Sequence, residues 1–253
     1  MPLAILARPQ AGPAAIIVDR ASRGMREEER VLRIHRLLLD RYGDPPQRRH
    51  DPLSTLVSAI LSQNTNDTNR DRALGRLTER FQGWEAVRDA PVEDVVDAIR
   101  PAGLGPTKAP RIQEALRRIS AQQGGLELGF LGQLPLEEAR EWLLGIPGVG
   151  PKTAAIVLLF GLGRRAFPVD THVHRVSTRL GLMPEGTSRE KAHGILEAIV
   201  PAGIYYPLHI NLIALGRDVC HARGPEHEVC AVRLECPVFK DLARGGEQGA
   251  PLE

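Results

Sequence analysis

From Met25 onward the apolar residues fall at helical spacing almost everywhere, with breaks at proline and glycine and with Asp, Ser or Thr where helices would begin. This pattern restricts the chain to helical architectures, because no segment alternates convincingly as a half-buried strand does. Val31, Ile34, Leu37, Leu38 and Leu39 mark a first helix ending near Tyr42-Gly43. Leu53, Leu56, Val57, Ile60 and Leu61 mark a second that starts after Asp51-Pro52. Further helices fit 66–81, 92–99, 107–122, 136–144, 152–161, 171–180, 188–200 and 207–219, which makes ten short helices with brief connections in an all-α fold. Residues 1–24, rich in Ala and Pro and without a sustained period, read as a disordered extension, with a targeting peptide or a start at Met25 as the alternatives. The polar, glycine-rich stretch 241–253 reads as a flexible tail.

Composition excludes more than it identifies. The longest apolar stretches, such as Ala154 to Leu162, fall well short of the roughly 20 residues of a membrane helix, so no membrane partner is expected. Action in the cytoplasm is expected, at the nucleoid in a bacterial cell. A formal charge of +2 over 253 residues argues for nothing by itself. Locally, Arg100, Lys108, Arg111, Arg117 and Arg118 face a single acid, Glu114, which suits either a phosphate-facing surface or a solvated helix face. The three cysteines lie between Cys220 and Cys236, too few for a disulfide framework and too clustered for core filler, and they read as metal ligands.

The most informative segment runs Leu143-Leu144-Gly145-Ile146-Pro147-Gly148-Val149-Gly150-Pro151-Lys152-Thr153-Ala154-Ala155. It joins two apolar helices through a tight turn in which Gly148 and Gly150 permit close approach of another chain. Pro151 suits a first helical position. The free N–H groups of such a helix start form an anion site that can hold a DNA phosphate without reading a base. Asp170 follows Lys152 by 18 residues, within Val169-Asp170-Thr171-His172. Taken alone, Lys152 can be a phosphate contact and Asp170 a helix cap.

Together these residues resemble the helix-hairpin-helix of the endonuclease III branch of DNA glycosylases, Leu-Pro-Gly-Val-Gly-x-Lys-Thr-Ala, with Ile146 as the one conservative departure. The resemblance covers about residues 30 to 240. It implies Lys152 as the nucleophile that attacks the sugar C1′ and Asp170 as the carboxylate that stabilises the developing cationic sugar and assists proton transfer. A neutral attacking amine requires a lowered lysine pKa, which a helix N-terminus and partial burial favour. Gly148, Val149, Gly150 and Thr153 would hold DNA through the hairpin.

Two more segments extend the resemblance. Gly103-Leu104-Gly105-Pro106-Thr107-Lys108-Ala109 is a second glycine turn into a basic helix. By the resemblance Leu104 is a candidate wedge for the gap left by a flipped nucleotide, Gly105 part of a second phosphate site, and Lys108 a phosphate or solvent contact. Ile60-Leu61-Ser62-Gln63-Asn64-Thr65-Asn66-Asp67 is similar to the family's Leu-Leu-Ser-x-Gln-x-Thr-Asp with its polar order changed, so that Asn64, with Gln63 beside it, takes the place that fills behind the extruded base. A polar turn capping the next helix is the compatible alternative.

Gly216-Arg217-Asp218-Val219-Cys220 is similar to the lead-in of the family's iron-sulfur loop, whose C-x6-C-x2-C-x5-C becomes C-x6-H-x2-C-x5-C over Cys220, His227, Cys230 and Cys236. The resemblance implies a 4Fe–4S cluster with three thiolates and one imidazole; tetrahedral zinc and an empty loop stay open. Arg217, Arg223 and Arg233 would present a basic surface to DNA.

The expected molecule has two helical lobes with DNA crossing between them. Residues 52–163 form one, with the hairpin at about 138–161; 25–51 plus 164–240 form the other, with the metal loop at 220–236. The function implied is a monomeric, bifunctional glycosylase and AP lyase that removes oxidised pyrimidines from damaged double-stranded DNA. A glycosylase for uracil or mismatched thymine is the alternative within the class, and a non-catalytic structure-specific DNA binder the alternative outside it.

Overall fold

The computed structural model of the protein describes residues 13–47 and 50–247. The described residues are helical and contain no strand. Two separate apolar cores organise them.

The first core is built by α2 (Pro52–Leu61), α3 (Asp67–Arg80), α4 (Trp84–Asp89), α5 (Val92–Ala98), α6 (Gly105–Gln123), α7 (Leu136–Leu144) and α8 (Pro151–Ile156). At its centre, α2 buries Leu53, Thr55, Leu56, Val57, Ala59, Ile60 and Leu61. A helix apolar on nearly all sides has to be surrounded, and α3, α6 and α8 pack around it. Asp51 starts it by accepting the Ser54 N–H at 2.7 Å, with Pro52 in the first turn.

The second core gathers α1 (Pro13–Tyr42), α9 (Thr171–Arg179), α10 (Arg189–Ile199) and α11 (Tyr205–Asp218), with Val232 and Cys236 from the loop before α12 (Pro237–Glu247). The link between the cores is a π-helical turn, Val157–Gly161, that continues α8. Its Val157 and Leu158 belong to the first core and Leu159 to the second. The wider turn rotates successive side chains toward different lobes. An Arg140–Glu197 ion pair at 3.0 Å ties α7 to α10 across the same boundary.

Several elements differ from the sequence expectation. The segment 13–24, read as part of a disordered extension, continues α1; no proline interrupts the backbone between Pro13 and Tyr42, and Pro13 suits a helix start. Residues 1–12 of that extension lie outside the described residues. Asp241 to Glu247, read as flexible tail, belong to α12, and only 248–253 lie outside the described residues. The helix α4, six residues long, is too short to show a period.

Gly216 marks where α11 crosses α9. A Cβ there would stand 2.9 Å from the His172 Cβ and 3.3 Å from the Arg175 guanidinium. Gly216→Ala is expected to push the helices apart and destabilise the chain by about 1–3 kcal/mol, read from urea unfolding midpoints.

Candidate active site

The hairpin forms by the steps its residues dictate. The last turn of α7 closes with Gly145 N–H bonded to Glu141 O and Ile146 N–H to Leu143 O; Val149 N–H then returns to Ile146 O at 3.0 Å. Gly148 sits at φ +83°, a conformation costly for residues with a Cβ, and Gly150 caps α8 in an extended conformation. Gly148 is exposed and Gly150 half-buried, so their backbone is open to a ligand. Val149 and Thr153 are buried, and Val149 has already spent its N–H. Their side chains serve packing rather than DNA contact, and what they offer a ligand is main chain.

Lys152 lies half-buried in the first turn of α8. Asp170 caps α9, its Oδ1 accepting the Val173 N–H at 2.7 Å. The two residues belong to different lobes, and the charges of both bear on His209. That imidazole, on α11, is buried; its Nδ1 pairs with Pro168 O at 2.9 Å, and Phe160 and Phe167 meet it edge-on. An Nδ1 that donates to a carbonyl leaves Nε2 as the acceptor of a neutral ring. Burial pushes the His209 pKa down to about 4, while the Asp170 carboxylate pulls it up and the Lys152 ammonium pushes it down. A second carboxylate, Asp67 at the start of α3, also feels Lys152. Asp67 is bound by Arg217 at 2.6 Å and Arg70 at 2.8 Å, and these cations hold its carboxyl below the usual range against its desolvation. Lys152 and the arginine-neutralised Asp67 thus belong to the first lobe, and Asp170 to the second.

Burial also lowers the pKa of His193 and His35. A folded-state pKa below the ordinary 6.5 means that the unfolded chain binds the proton first. The stability these rings give is complete above pH 6.5 and is lost as pH falls below it, for His209 toward about 4. Urea midpoints are expected to drop across that window, each ring adding a slope of at most about 1.4 kcal/mol per pH unit. His209→Asn, which keeps an amide donor for Pro168 O, is expected to remove one proton from the slope.

The expected DNA-facing residues divide by exposure. Asn64 and Leu104 are exposed and Gln63 is half-buried, with the Leu104 side chain 53% accessible. Gly105 is buried against Val96 on α5, which corrects its reading as a phosphate site. Lys108 is the larger correction: it is 1% exposed, and its ammonium donates to Leu61 O at 2.7 Å and Ala102 O at 2.8 Å. It touches neither phosphate nor solvent. Helical register carries the signal for this, because Lys108 shares a face with Gly105, Ile112, Ala115 and Ile119, all buried.

The cysteine loop follows α11. Cys220, His227, Cys230 and Cys236 all line one pocket, with Val176, Leu180 and Leu215 as its apolar wall. Among the described residues, no three Cys, His, Asp or Glu side chains converge as a set for a single ion. Two α9 arginines that sequence reasoning missed hold the loop. Arg175 donates to Cys220 O and Gly216 O, and Arg179 to Cys220 Sγ at 3.3 Å, His221 O and Ala222 O. Their i, i+4 spacing on a capped helix is the available signal. Arg217, assigned to a DNA surface from sequence, pairs with Asp67, and Arg233 donates to Glu228 O within the loop.

Among the described residues, an all-helical, two-core scaffold with a glycine hairpin, a lysine at its helix start and a carboxylate capping a helix of the other lobe suits a protein that acts on DNA. The family model for the HhH-GPD superfamily of base excision DNA repair proteins matches residues 57–202, more than half the chain, which therefore belongs to that superfamily as an endonuclease III-like DNA glycosylase. Endonuclease III of Thermotoga maritima is 34% identical over 195 residues, 77% of this chain and 87% of that protein. A putative DNA glycosylase of Arabidopsis thaliana, At3g47830, is 38% identical over 75% of this chain and 67% of its own length. A non-covalent endonuclease III–DNA complex superposes with a TM-score of 0.73 at 27% identity, covering 86% of this chain and 98% of that one. A trapped endonuclease III–DNA covalent intermediate matches equally, with 99% of its chain covered. A thermostable thymine-DNA glycosylase, TM-score 0.67 at 20% identity over 84% of this chain and 98% of that one, shares the fold.

Proposed function

We propose that the protein is a bifunctional glycosylase and AP lyase that excises oxidised pyrimidines from duplex DNA, with Lys152 as nucleophile and Asp170 as its carboxylate partner. The observation that carries the reading is that the glycine hairpin sets Lys152, half-buried, in the first turn of α8 while Asp170 stands fixed as the cap of α9. The match to a trapped endonuclease III–DNA covalent intermediate supports a covalent route.

In this reading the hairpin backbone at Gly148 and Gly150 holds a phosphate and the target nucleotide turns into the cleft. The neutral Lys152 amine forms a bond to C1′ as the C1′–N bond to the base breaks; the base leaves with that electron pair and takes up a proton. Asp170, fixed through one oxygen by the α9 cap, has the other for the positive charge growing on the sugar and for the proton leaving the amine. Ring opening gives the iminium, loss of a C2′ proton expels the 3′ phosphate, and water releases Lys152.

The cysteine loop suits a 4Fe–4S cluster ligated by Cys220, His227, Cys230 and Cys236. The four residues come from one loop and line one pocket with an apolar wall. Three thiols and an imidazole are a competent donor set. When bound, the group would fix the loop, and no step of the reaction passes through it.

The test is borohydride trapping on duplexes that carry an abasic site, an oxidised pyrimidine, uracil or a T·G mismatch. A covalent adduct with the abasic and oxidised-pyrimidine duplexes is the expected result. Adducts with uracil or T·G alone would move the substrate to that alternative. Binding without any adduct would overturn the lyase assignment.

A further inference from the structure

We propose that Lys108 is a positioning residue that sets the DNA-probing loops in mutual register; this deepens the proposed function and rests on it. An ammonium group 1% exposed is expensive to bury unless something specific is gained. Here it stands where two helix ends meet. Leu61 O closes α2, immediately before Ser62-Gln63-Asn64, and Ala102 O ends the 3₁₀ turn Arg100–Ala102, immediately before Gly103-Leu104. Both carbonyls are unpaired last-turn acceptors at the negative ends of their helices, and the cation is the common cap of the two.

The loops that leave this cap share a second property. Asn64 at φ +52° and Leu104 at φ +53° are the two non-glycine residues with positive φ among the described residues. Left-handed backbone at a leucine costs of order 1–3 kcal/mol and persists where the surroundings enforce it. One buried ammonium thus anchors both strained loops, each with an exposed side chain at its tip. One turn further along α6, Arg111 extends the link to the hairpin. It reaches Gln63 Oε1, Gln63 Nε2 reaches Gly148 O, and both distances are 3.4 Å. From one helix, α6, the Asn64 loop, the Leu104 loop and the hairpin turn are held to one another. Opening a paired duplex requires those three to act at once, whereas a site already unpaired does not.

The experiment compares strand cleavage at an abasic site in a fully paired duplex with the same site inside a small mismatched bubble. Lys108→Met is expected to lower the paired-duplex rate on the order of 10- to 100-fold while the bubble rate changes by about twofold or less. Lys108→Gln, which keeps an amide donor, is expected to recover part of the loss. In a double-mutant cycle, Lys108→Met with Leu104→Ala should lose no more on paired duplex than the worse single variant. Equal losses on both substrates, additive losses in the cycle, or failure of both Lys108 variants to fold would make Lys108 a core determinant and overturn the proposal. If the native chain cleaves neither substrate, the lyase reading itself is at fault; native cleavage with an unchanged paired-to-bubble ratio in Lys108→Met overturns the positioning role alone.

Discussion

Lys152→Ala is expected to leave no borohydride adduct on any substrate and no strand cleavage above background, while duplex affinity falls by less than about tenfold, one phosphate contact's worth. The separation follows from where Lys152 stands. It is in the first turn of α8, after the backbone turn that would hold phosphate, so removing its amine leaves Gly148 and Gly150 in place. Asp170→Asn provides the matching result. Asparagine can keep the cap to Val173 N–H, so the fold should survive. Losing the charge is expected to slow base removal by about 10²–10⁴-fold. Single-turnover rates on oxidised-pyrimidine and on preformed abasic duplexes separate the steps: Asp170→Asn should suffer most where a base must leave, whereas Lys152→Ala, whose amine both displaces the base and forms the Schiff base, should fail on both. Equal defects in both variants on both substrates would show that the pair does not divide the work in this way.

The second large effect concerns the cysteine loop. On the proposed cluster, Cys236→Ala is expected to abolish iron and sulfide binding together with its charge-transfer absorption and to loosen the second core, because Cys236 is a buried member of that core as well as a candidate ligand. His227→Cys should keep the iron and sulfide and change the reduction potential, since thiolate replaces imidazole. Arg179→Met leaves the four candidate ligands intact but removes the donors to Cys220 Sγ, His221 O and Ala222 O, and the metal content is expected to fall on dilution or mild chelation. Elemental analysis decides the class of metal: iron with sulfide supports the cluster, one zinc per chain replaces it, and neither would leave the loop empty.

How much of this could be read before the structure depends on whether the signal is local. Caps are local, and Asp51, Asn66, Asp170 and Ser188 each start a helix with a side-chain bond to a backbone N–H three residues on. The hairpin is local too, and its two glycines and proline specify the turn. The reading failed where a residue's meaning lies far along the chain. Lys108 looks like part of a basic face until Leu61 O, 47 residues away, is known to receive it. Arg217 looks like a DNA contact until Asp67, 150 residues away, is placed beside it. His209 is buried, and the Asp170 and Lys152 charges that bear on it come from other helices and leave no trace in its neighbours in sequence. Positive φ at Leu104 is likewise unannounced, since leucine is among the residues least expected there.

The division of the apolar residues into two cores bears on how the chain is born. The first core uses one continuous stretch, Leu53 to Ala166, whereas the second joins Val31, Ile34 and Leu38 to residues that end with Cys236. A ribosome can complete the first lobe while about a third of the polypeptide is still unmade, but α1 must wait for α9, α10 and α11 before its apolar face is covered. During that interval the apolar face of the N-terminal helix stays uncovered, and assembly of the second core is among the last events of folding. A polypeptide truncated before α11 would therefore carry the first lobe with Lys152 but lack His209 and Arg217.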